Sequence, residues 1–379
     1  MGTHLARSLV TAGLAVAATL APTGSAGAAV PAWHLPPPVP LPPGATNTVL
    51  QDVAMAAPDD VWAVGTWWNS QAEGPFTVHW NGQAWTLVPP PELSQPTYLT
   101  GVDALASDDV WAVGSGDDDA PGAPRPTTAV IMHFDGTAWT SVPVPAAPAG
   151  VESNLDDIDG SWAVGHTEAD GVSRPLVLHR TGGVWAVSPT PDLPGVELTS
   201  VGTTAGGDVW AVGSPATVLH FDGTAWTRVD VPVTGKSVLN SVAAAAGDVW
   251  AAGADCVTPL VCVPLVLHRT ATGWRTESSA DGSAVTEIVA SKSGVWTFGY
   301  RSTVTGLKSG HVERWTGQAF RADASIAPPG GPSGPVRPQG EIASATPLAG
   351  ATSDPAGTVL WAVGWQAGPP RSPNVLYRS

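Results

Sequence analysis

The chain has few cations and a large excess of acids, and this shortage excludes two classes of partner. Its 379 residues include 16 Lys and Arg against 32 Asp and Glu, which gives a formal net charge of −16 at pH 7. A surface this acidic repels phosphate backbones and anionic lipid headgroups. We therefore expect neither nucleic acid nor a membrane surface as a partner.

Cysteine is also scarce, with only Cys256 and Cys262 in the whole chain. The two lie close together in a short segment that contains proline. Outside the cell such a pair is expected to form a local disulfide bond. A metal site at the cysteines would need more soft ligands nearby, so we assign no metal there, and the sequence predicts no cofactor.

Long apolar runs are absent after the N-terminal segment. Residues 1–28 carry an early Arg7, an apolar stretch from Leu9 to Leu20 and small residues ending in Ala26-Gly27-Ala28. This order is typical of a secretory signal peptide, and the apolar stretch is too short to span a bilayer. We expect a secreted, extracellular protein whose residues 29–379 form a single domain.

One phrase recurs through the rest of the chain. DDVWAVG stands at Asp59–Gly65 and again at Asp108–Gly114, and five variants follow it. Fixed-period self-similarity is the signature of repeat architectures. The tryptophans of the seven copies are Trp62, Trp111, Trp162, Trp210, Trp250, Trp296 and Trp361.

Each copy is accompanied by two further phrases, so each repeat predicts four strands. A segment such as LTSVGTT precedes it (strand a), VWAVG itself is strand b, and VLH with AWTxV are strands c and d. Asn-Gly or Asp-Gly between c and d is a strong hairpin signal. The sequence therefore predicts an all-β, seven-bladed β-propeller of four-stranded blades. The Pro/Gly-rich segment 327–340 is interpreted as a loop insertion.

The last repeat ends at residue 379 without a strand d, and the N-terminal segment resembles the missing element. Residues 32–40 read AWHLPPPVP, as in AWTLVPPPEL. We expect the strand at about 32–36 to pair with residues 375–379 and close the ring, because an open propeller would leave unpaired strand edges.

Repetition also separates scaffold from candidate site. Five histidines occupy one equivalent position of strand c, and this predicts packing rather than catalysis; they are His79, His133, His179, His220 and His268. The loops between b and c and between d and a vary in length, and both lie at the same end of the strands. We call this end the variable-loop face, and propellers commonly bind ligands at such a face.

The non-repeating residues of that face are the candidate ligand-binding set. They are Trp67, Trp68, Asp117, Asp118, Asp119, His166, Glu168, Asp170, Tyr300, Arg301 and Trp365. Aromatic rings beside carboxylates suit a sugar. Other interpretations stay open, because the tryptophans could cover neighbouring blades. The three aspartates could form a solvated loop or help to hold Ca²⁺.

The alternation of DVWAVG with LHxDGxxWxxV resembles secreted bacterial β-propeller repeat proteins and the tectonin family. The segment from Trp226 through Val242 to Trp250 shows the tectonin order. Kelch propellers are similar more loosely, since VWAVG carries one glycine rather than a pair. The tectonin resemblance implies a lectin-like function, although the long unequal loops depart from the family's uniform blades.

Two function classes follow from the sequence. The first is a non-enzymatic, monomeric binding or interaction module for a glycan or an extracellular protein. The alternative is a carbohydrate-active hydrolase or lyase that uses acidic and His residues of the same face, such as His166, Glu168 and Asp170. No catalytic residue is assigned. Which side chains converge at the central opening should discriminate between the two classes.

Overall fold

The computed structural model describes residues 33–93, 95–116, 127–233, 236–245, 247–258, 261–279, 282, 284–302, 308–323, 348–366 and 371–379. These ranges contain strands and no helix, so no described helix is available to cross a membrane. The predicted signal peptide (1–28), the segment 327–340 and Asp117–Asp119 lie outside the described residues.

The strands form seven antiparallel four-stranded sheets, which confirms the predicted seven-bladed propeller. Blade 1 comprises β2 (Asn47–Ala57), β3 (Asp60–Trp68), β4 (Glu73–Trp80) and β5 (Trp85–Leu87). Blade 2 comprises β6 (Thr97–Ala106), β7 (Asp109–Gly116), β8 (Thr128–Phe134) and β9 (Trp139–Val142). Blade 3 comprises β10 (Glu152–Asp159), β11 (Trp162–Ala169), β12 (Val172–Thr181) and β13 (Val184–Val187). Blades 4 and 5 comprise β14 (Glu197–Thr203), β15 (Val209–Ser214), β16 (Thr217–Phe221), β17 (Trp226–Val229); and β18 (Ser237–Ala245), β19 (Asp248–Thr258), β20 (Val261–Thr270), β21 (Gly273–Glu277). Blades 6 and 7 comprise β22 (Ala284–Ser291), β23 (Gly294–Ser302), β24 (Lys308–Trp315), β25 (Phe320–Ala322); and β26 (Leu348–Ser353), β27 (Leu360–Gln366), β28 (Ser372–Arg378), with β1 (Trp33–His34) as the fourth strand.

The N-terminal strand closes the ring as predicted. Trp33 pairs with Arg378 and His34 pairs with Tyr377, so β1 supplies strand d of blade 7. The Trp33 ring also meets Phe298 of blade 6 edge-on, at 5.9 Å between ring centroids. One short segment thus contacts two blades and leaves no blade incomplete.

The repeated tryptophans and histidines pack at the blade interfaces. In blade 1 the Trp62 ring stacks on His79 at 4.4 Å and meets Trp139 of blade 2 edge-on. His79 Nε2 lies 2.8 Å from Oδ1 of Asp60, at the start of the same VWAVG strand. Equivalent Trp–His stacks occur in blades 2 to 5. The predicted scaffold role of the histidines is confirmed.

The glycine of the VWAVG phrase is required by a close backbone approach. A Cβ on Gly65 would lie 2.0 Å from the carbonyl oxygen of Val49 on strand a, far inside van der Waals contact. The glycines at the same place in blades 2 to 6 would meet a carbonyl oxygen at 1.9 to 2.2 Å. The close approach accompanies a β-bulge in strand a, one in every blade, as at Leu50/Asp52.

The predicted disulfide is present between Cys256 and Cys262. The two cysteines face each other across the b–c hairpin of blade 5, where β19 pairs with β20. The bond therefore joins two strands that are already paired.

Candidate binding site on the variable-loop face

Three carboxylates meet at the propeller axis, and the fold itself uses their oxygens. Asp52 accepts hydrogen bonds from the backbone N–H of Val53 at 2.7 Å and of Val102 in the next blade at 2.8 Å. Asp157 binds Ile158 and Val201 in the same manner, at 2.8 and 2.9 Å. Glu287 accepts from the N–H of Ile288 and from the hydroxyl of Ser241. Each of these acids therefore accepts one hydrogen bond from its own strand and one from a neighbouring blade.

The hydroxyl and amide side chains at the strand-a bulges also join neighbouring blades. Thr100 donates to the carbonyl oxygen of Leu155 at 2.8 Å, and Thr199 donates to that of Leu239 at 2.8 Å. Asn240 and Thr286 donate to the next blade in the same way, each at 2.6 Å. These polar side chains around the axis therefore join neighbouring blades, and we call them the polar girdle.

Burial and mutual repulsion raise the pKa values of the axial acids. Desolvation raises the pKa of Asp157 to about 7 and that of Asp103 to about 6. The pKa of Asp52 is raised well above 3.8, mainly by desolvation and to a smaller extent by the charge of Asp157. The pKa of Glu287 is also raised well above its ordinary value, mainly by desolvation and to a smaller extent by the charge of Asp52. Part of this cluster therefore carries protons near neutral pH.

The cavities along the axis are small. The one on the variable-loop side of the polar girdle has a volume of about 110 Å³. Two lie on the opposite side, with volumes of about 160 and 240 Å³, and they share Asp159, Val201 and Val242. Sites for organic ligands usually exceed about 300 Å³. Among the described residues, no group of three or more His, Cys, Asp or Glu is arranged to hold a metal ion.

His166, Glu168 and Asp170 follow one another along β11 and its turn. His166 Nδ1 lies 3.5 Å from Oδ2 of Asp156, and Nε2 lies 3.3 Å from Nδ2 of Asn154. The hydrogen bond to Asp156 raises the pKa of His166. Asp170 is exposed, with φ of 52°, in the turn that leads into β12. Asn154 and Asp156 do not belong to the predicted set; of that set, Glu168 acts on His166 through its charge.

The remaining predicted residues are spread around the face. Tyr300 and Arg301 lie near the end of β23 in blade 6, and Trp365 faces Pro373 across blade 7. Trp68 lies beneath Arg371, whose guanidinium carbon is 5.7 Å from the ring centroid. None of these four lines either of the two grooves described below. The predicted set is therefore not a single site.

Trp67 is the exception, because it lines a groove with a volume of about 320 Å³. We call this the Trp67 groove. It is bounded by strand c of blade 1 on one side and by the chain that leaves strand d on the other. Its lining comprises Pro42, Pro43, Trp67, Glu73, Gly74, Pro75, Phe76, Thr77, Leu87, Pro89, Pro90, Pro91, Glu92, Leu93 and Gln95.

A second groove lies next to it and shares Leu93 and Gln95 with it. This blade-2 groove has a volume of about 520 Å³ and runs between Thr128–Ile131 of strand c and Ser141–Val151, which comprise the end of strand d and the linker after it. Sequence reasoning missed both grooves. The sequence feature that accompanies each groove is a proline-rich segment directly after AWTxV, which reads PPPEL in blade 1 and PVPAAP in blade 2.

Comparisons with known proteins identify the fold and no family. No family model and no curated protein sequence matches the chain. Among solved structures, YCF48 bound to D1 peptide is similar with a TM-score of 0.52 and 14% identity, over 91% of this chain and 96% of that one. Trypanosoma rangeli sialidase has a TM-score of 0.47 and 9% identity, over 88% of this chain and 55% of that one. The first likeness supports a shared β-propeller fold, and the tectonin resemblance stays a prediction.

Proposed function

We propose that the protein is a non-catalytic binding module that acts outside the cell and holds a segment of a partner protein at its variable-loop face. One observation carries the proposal: the axial carboxylates are committed to contacts within the fold, whereas the Trp67 groove on the face is open, preformed and mainly apolar. Ligand sites are usually concave and mainly apolar, with a few polar groups that orient the ligand. The Trp67 groove has that composition.

A protein segment fits this chemistry better than a glycan does. Sugars need many hydrogen-bonding partners around an aromatic platform, and six of the fifteen residues that line the Trp67 groove are prolines. Proline offers no N–H donor. YCF48, a propeller of similar fold, has been solved with a bound peptide, and this supports the view that such a ring can hold a peptide.

The carbohydrate-active enzyme remains the second candidate because of one contact. His166 has a carboxylate neighbour and a raised pKa, as a general acid would need. The cavity beside Asp156 has a volume of only about 110 Å³, however. This size disfavours access by a sugar ring.

The test compares the full chain with two variants, Trp67→Ala and His166→Ala, on immobilised peptide and glycan arrays and in polysaccharide turnover assays. We expect binding to peptides that is lost in Trp67→Ala and kept in His166→Ala, with no turnover by any of the three. Turnover that disappears in His166→Ala would overturn the proposal. Expression in a secreting bacterial host and N-terminal sequencing of the released product test the extracellular location.

A further inference from the structure

The Trp67 groove forms because the chain leaves strand d early. β4 runs from Glu73 to Trp80, but β5 pairs only with Val78–Trp80. One further backbone hydrogen bond follows, from Val88 N–H to the carbonyl oxygen of Thr77 at 3.2 Å, and the Thr77 hydroxyl donates to the carbonyl oxygen of Val88. Pro89–Pro91 then diverge. Proline has no N–H and a fixed φ, so this linker cannot rejoin the ladder, and the gap beside β4 stays open.

The edge of β4 in the groove is protected against strand addition. The carbonyl oxygen of Thr77 points toward the linker, because Val88 binds it there. Pro75, two residues earlier, has its backbone groups on the same side of the strand. Its ring removes the outward N–H that an added strand would need. A ligand must therefore be recognised through side-chain packing rather than as an extra strand.

Trp67 provides a flat wall for such packing. It pairs across the hairpin with Gly74, and a Cβ on Gly74 would lie 3.3 Å from the indole Nε1. The absence of a side chain at Gly74 lets the indole lie close against the backbone, where it is half-buried. A half-buried indole offers its face to apolar groups and to cations.

The charged residues that line the groove favour a positively charged ligand. Its two charged lining residues are Glu73 and Glu92, which are both exposed, and no lining residue is basic. The chain as a whole carries a formal net charge of −16. Two carboxylates in the same groove as an indole favour a lysine or arginine side chain, and the field of an acidic protein speeds the approach of a cationic segment.

The neighbouring groove sets the length of the ligand. The blade-2 groove meets the Trp67 groove at Leu93 and Gln95, and its lining residues are all uncharged. A segment that places its cation in the Trp67 groove with Glu73 and Glu92 can therefore continue over uncharged walls. A small ligand would use only one of the two grooves.

We propose, on the basis of the proposed function, that the two grooves together bind an extended protein segment in which a lysine or arginine is followed or preceded by apolar residues. The cation lies at the Trp67 groove, and the apolar part lies along Ser141–Val151. The affinity comes from packing on Trp67 and the prolines, and the selectivity for positive charge comes from the two glutamates.

The experiment selects ligands for the full chain from a display library of random linear peptides, followed by titration of the enriched peptides. We expect them to carry a basic residue beside an apolar stretch. Trp67→Ala should weaken binding by about tenfold or more, as is usual for a buried aromatic anchor. The double variant Glu73→Gln/Glu92→Gln should weaken it and reduce its salt dependence, while the control Asp230→Asn, an exposed acid on the linker after β17, should leave it unchanged.

The outcomes separate the two proposals. If no peptide is enriched, both fail. If peptides bind equally well to the wild type, Trp67→Ala and Glu73→Gln/Glu92→Gln, the binding function stands and the assignment to the grooves is overturned. Enriched peptides without basic residues would overturn the role of the glutamates. Trp67-dependent binding of glycans instead of peptides would overturn the ligand class. The glutamates are exposed, so their variants are informative even if Trp67→Ala unfolds.

Discussion

The indole Nε1 of Trp33 donates a hydrogen bond to Oδ2 of Asp323 at 3.1 Å, although 290 positions separate the two residues. Trp33 belongs to the strand that completes blade 7, and Asp323 directly follows the last strand of blade 6. The first described strand of the chain therefore contacts two blades, through the pairing with β28 and through this side-chain hydrogen bond. Both contacts act across the seam of the ring.

Trp33→Ala should destabilise the protein markedly. Replacing a buried tryptophan by alanine costs about 3 to 5 kcal/mol, and Trp33 is half-buried, so we expect a loss of about 2 kcal/mol in the free energy of unfolding. Thermal denaturation measures it. The neighbouring Leu35→Ala is the control, because Leu35 is 72% exposed. Equal melting temperatures for Trp33→Ala and wild type would contradict closure by this strand.

Asp157→Asn should flatten the dependence of stability on pH. The folded pKa of Asp157 is raised from 3.8 to about 7. Between these values the folded chain keeps a proton that the unfolded chain has released, so this group's contribution is full below about pH 4 and is lost as the pH rises toward 7. This rise in the pKa of Asp157 corresponds to a change of about 4 kcal/mol in the free energy of unfolding.

Denaturant titrations at about pH 5 and about pH 8 measure that effect. In the wild type, Asp157 lowers stability at the higher pH relative to the lower one, and this component should disappear in Asp157→Asn. Asp230→Asn serves as the exposed control. If the wild type and Asp157→Asn show the same difference between the two pH values, Asp157 is not a buried, protonated group.

Gly65→Ala should be among the most disruptive single-methyl changes in the chain. Its Cβ would lie 2.0 Å from the carbonyl oxygen of Val49, so strands a and b of blade 1 would have to separate. Gly206→Ala is a matched control, because its Cβ would meet only a side-chain oxygen of Thr204, at 3.7 Å. We expect a large fall in melting temperature for the first and almost none for the second. Similar melting temperatures would show that the close approach is absent in solution.

Reduction of the Cys256–Cys262 disulfide should cost about 2 kcal/mol of stability, because it closes only a short loop. The bond lies in the hairpin of blade 5, away from the residues that line the Trp67 groove. Unfolding with and without reductant measures the loss of stability. Peptide titration under both conditions shows whether reduction also affects binding at the Trp67 groove. Loss of peptide binding on reduction, without unfolding, would contradict the placement of the site.

The ring could be predicted from the sequence because each blade repeats the same local pattern, and Trp33 stands out as a strand-d tryptophan with no blade of its own. The axial acids could not. Asp52, Asp157 and Glu287 follow a bulge, and one extra residue changes which side chains face the axis. Alternation along strand a therefore does not reveal them.

Sequence analysis identifies one residue of the Trp67 groove but not the groove itself. Trp67 is a non-repeating aromatic residue of the variable-loop face, and the structure places it in the lining of the groove. Glu73, Glu92 and the proline walls depend on where Pro89–Pro91 leave strand d, a divergence that a strand pattern does not encode. Trp68 stood beside Trp67 in the same motif, yet neighbouring residues of a strand point to opposite faces, and it lies outside the groove.

The most direct test of the account is one titration of an enriched basic, apolar peptide against three proteins: wild type, Trp67→Ala and Asp157→Asn. The account predicts that Trp67→Ala loses at least about tenfold in affinity while it remains folded, and that Asp157→Asn binds as the wild type does. The reverse pattern, in which the axial Asp157→Asn loses the peptide and Trp67→Ala keeps it, would place the ligand at the axis and contradict the account.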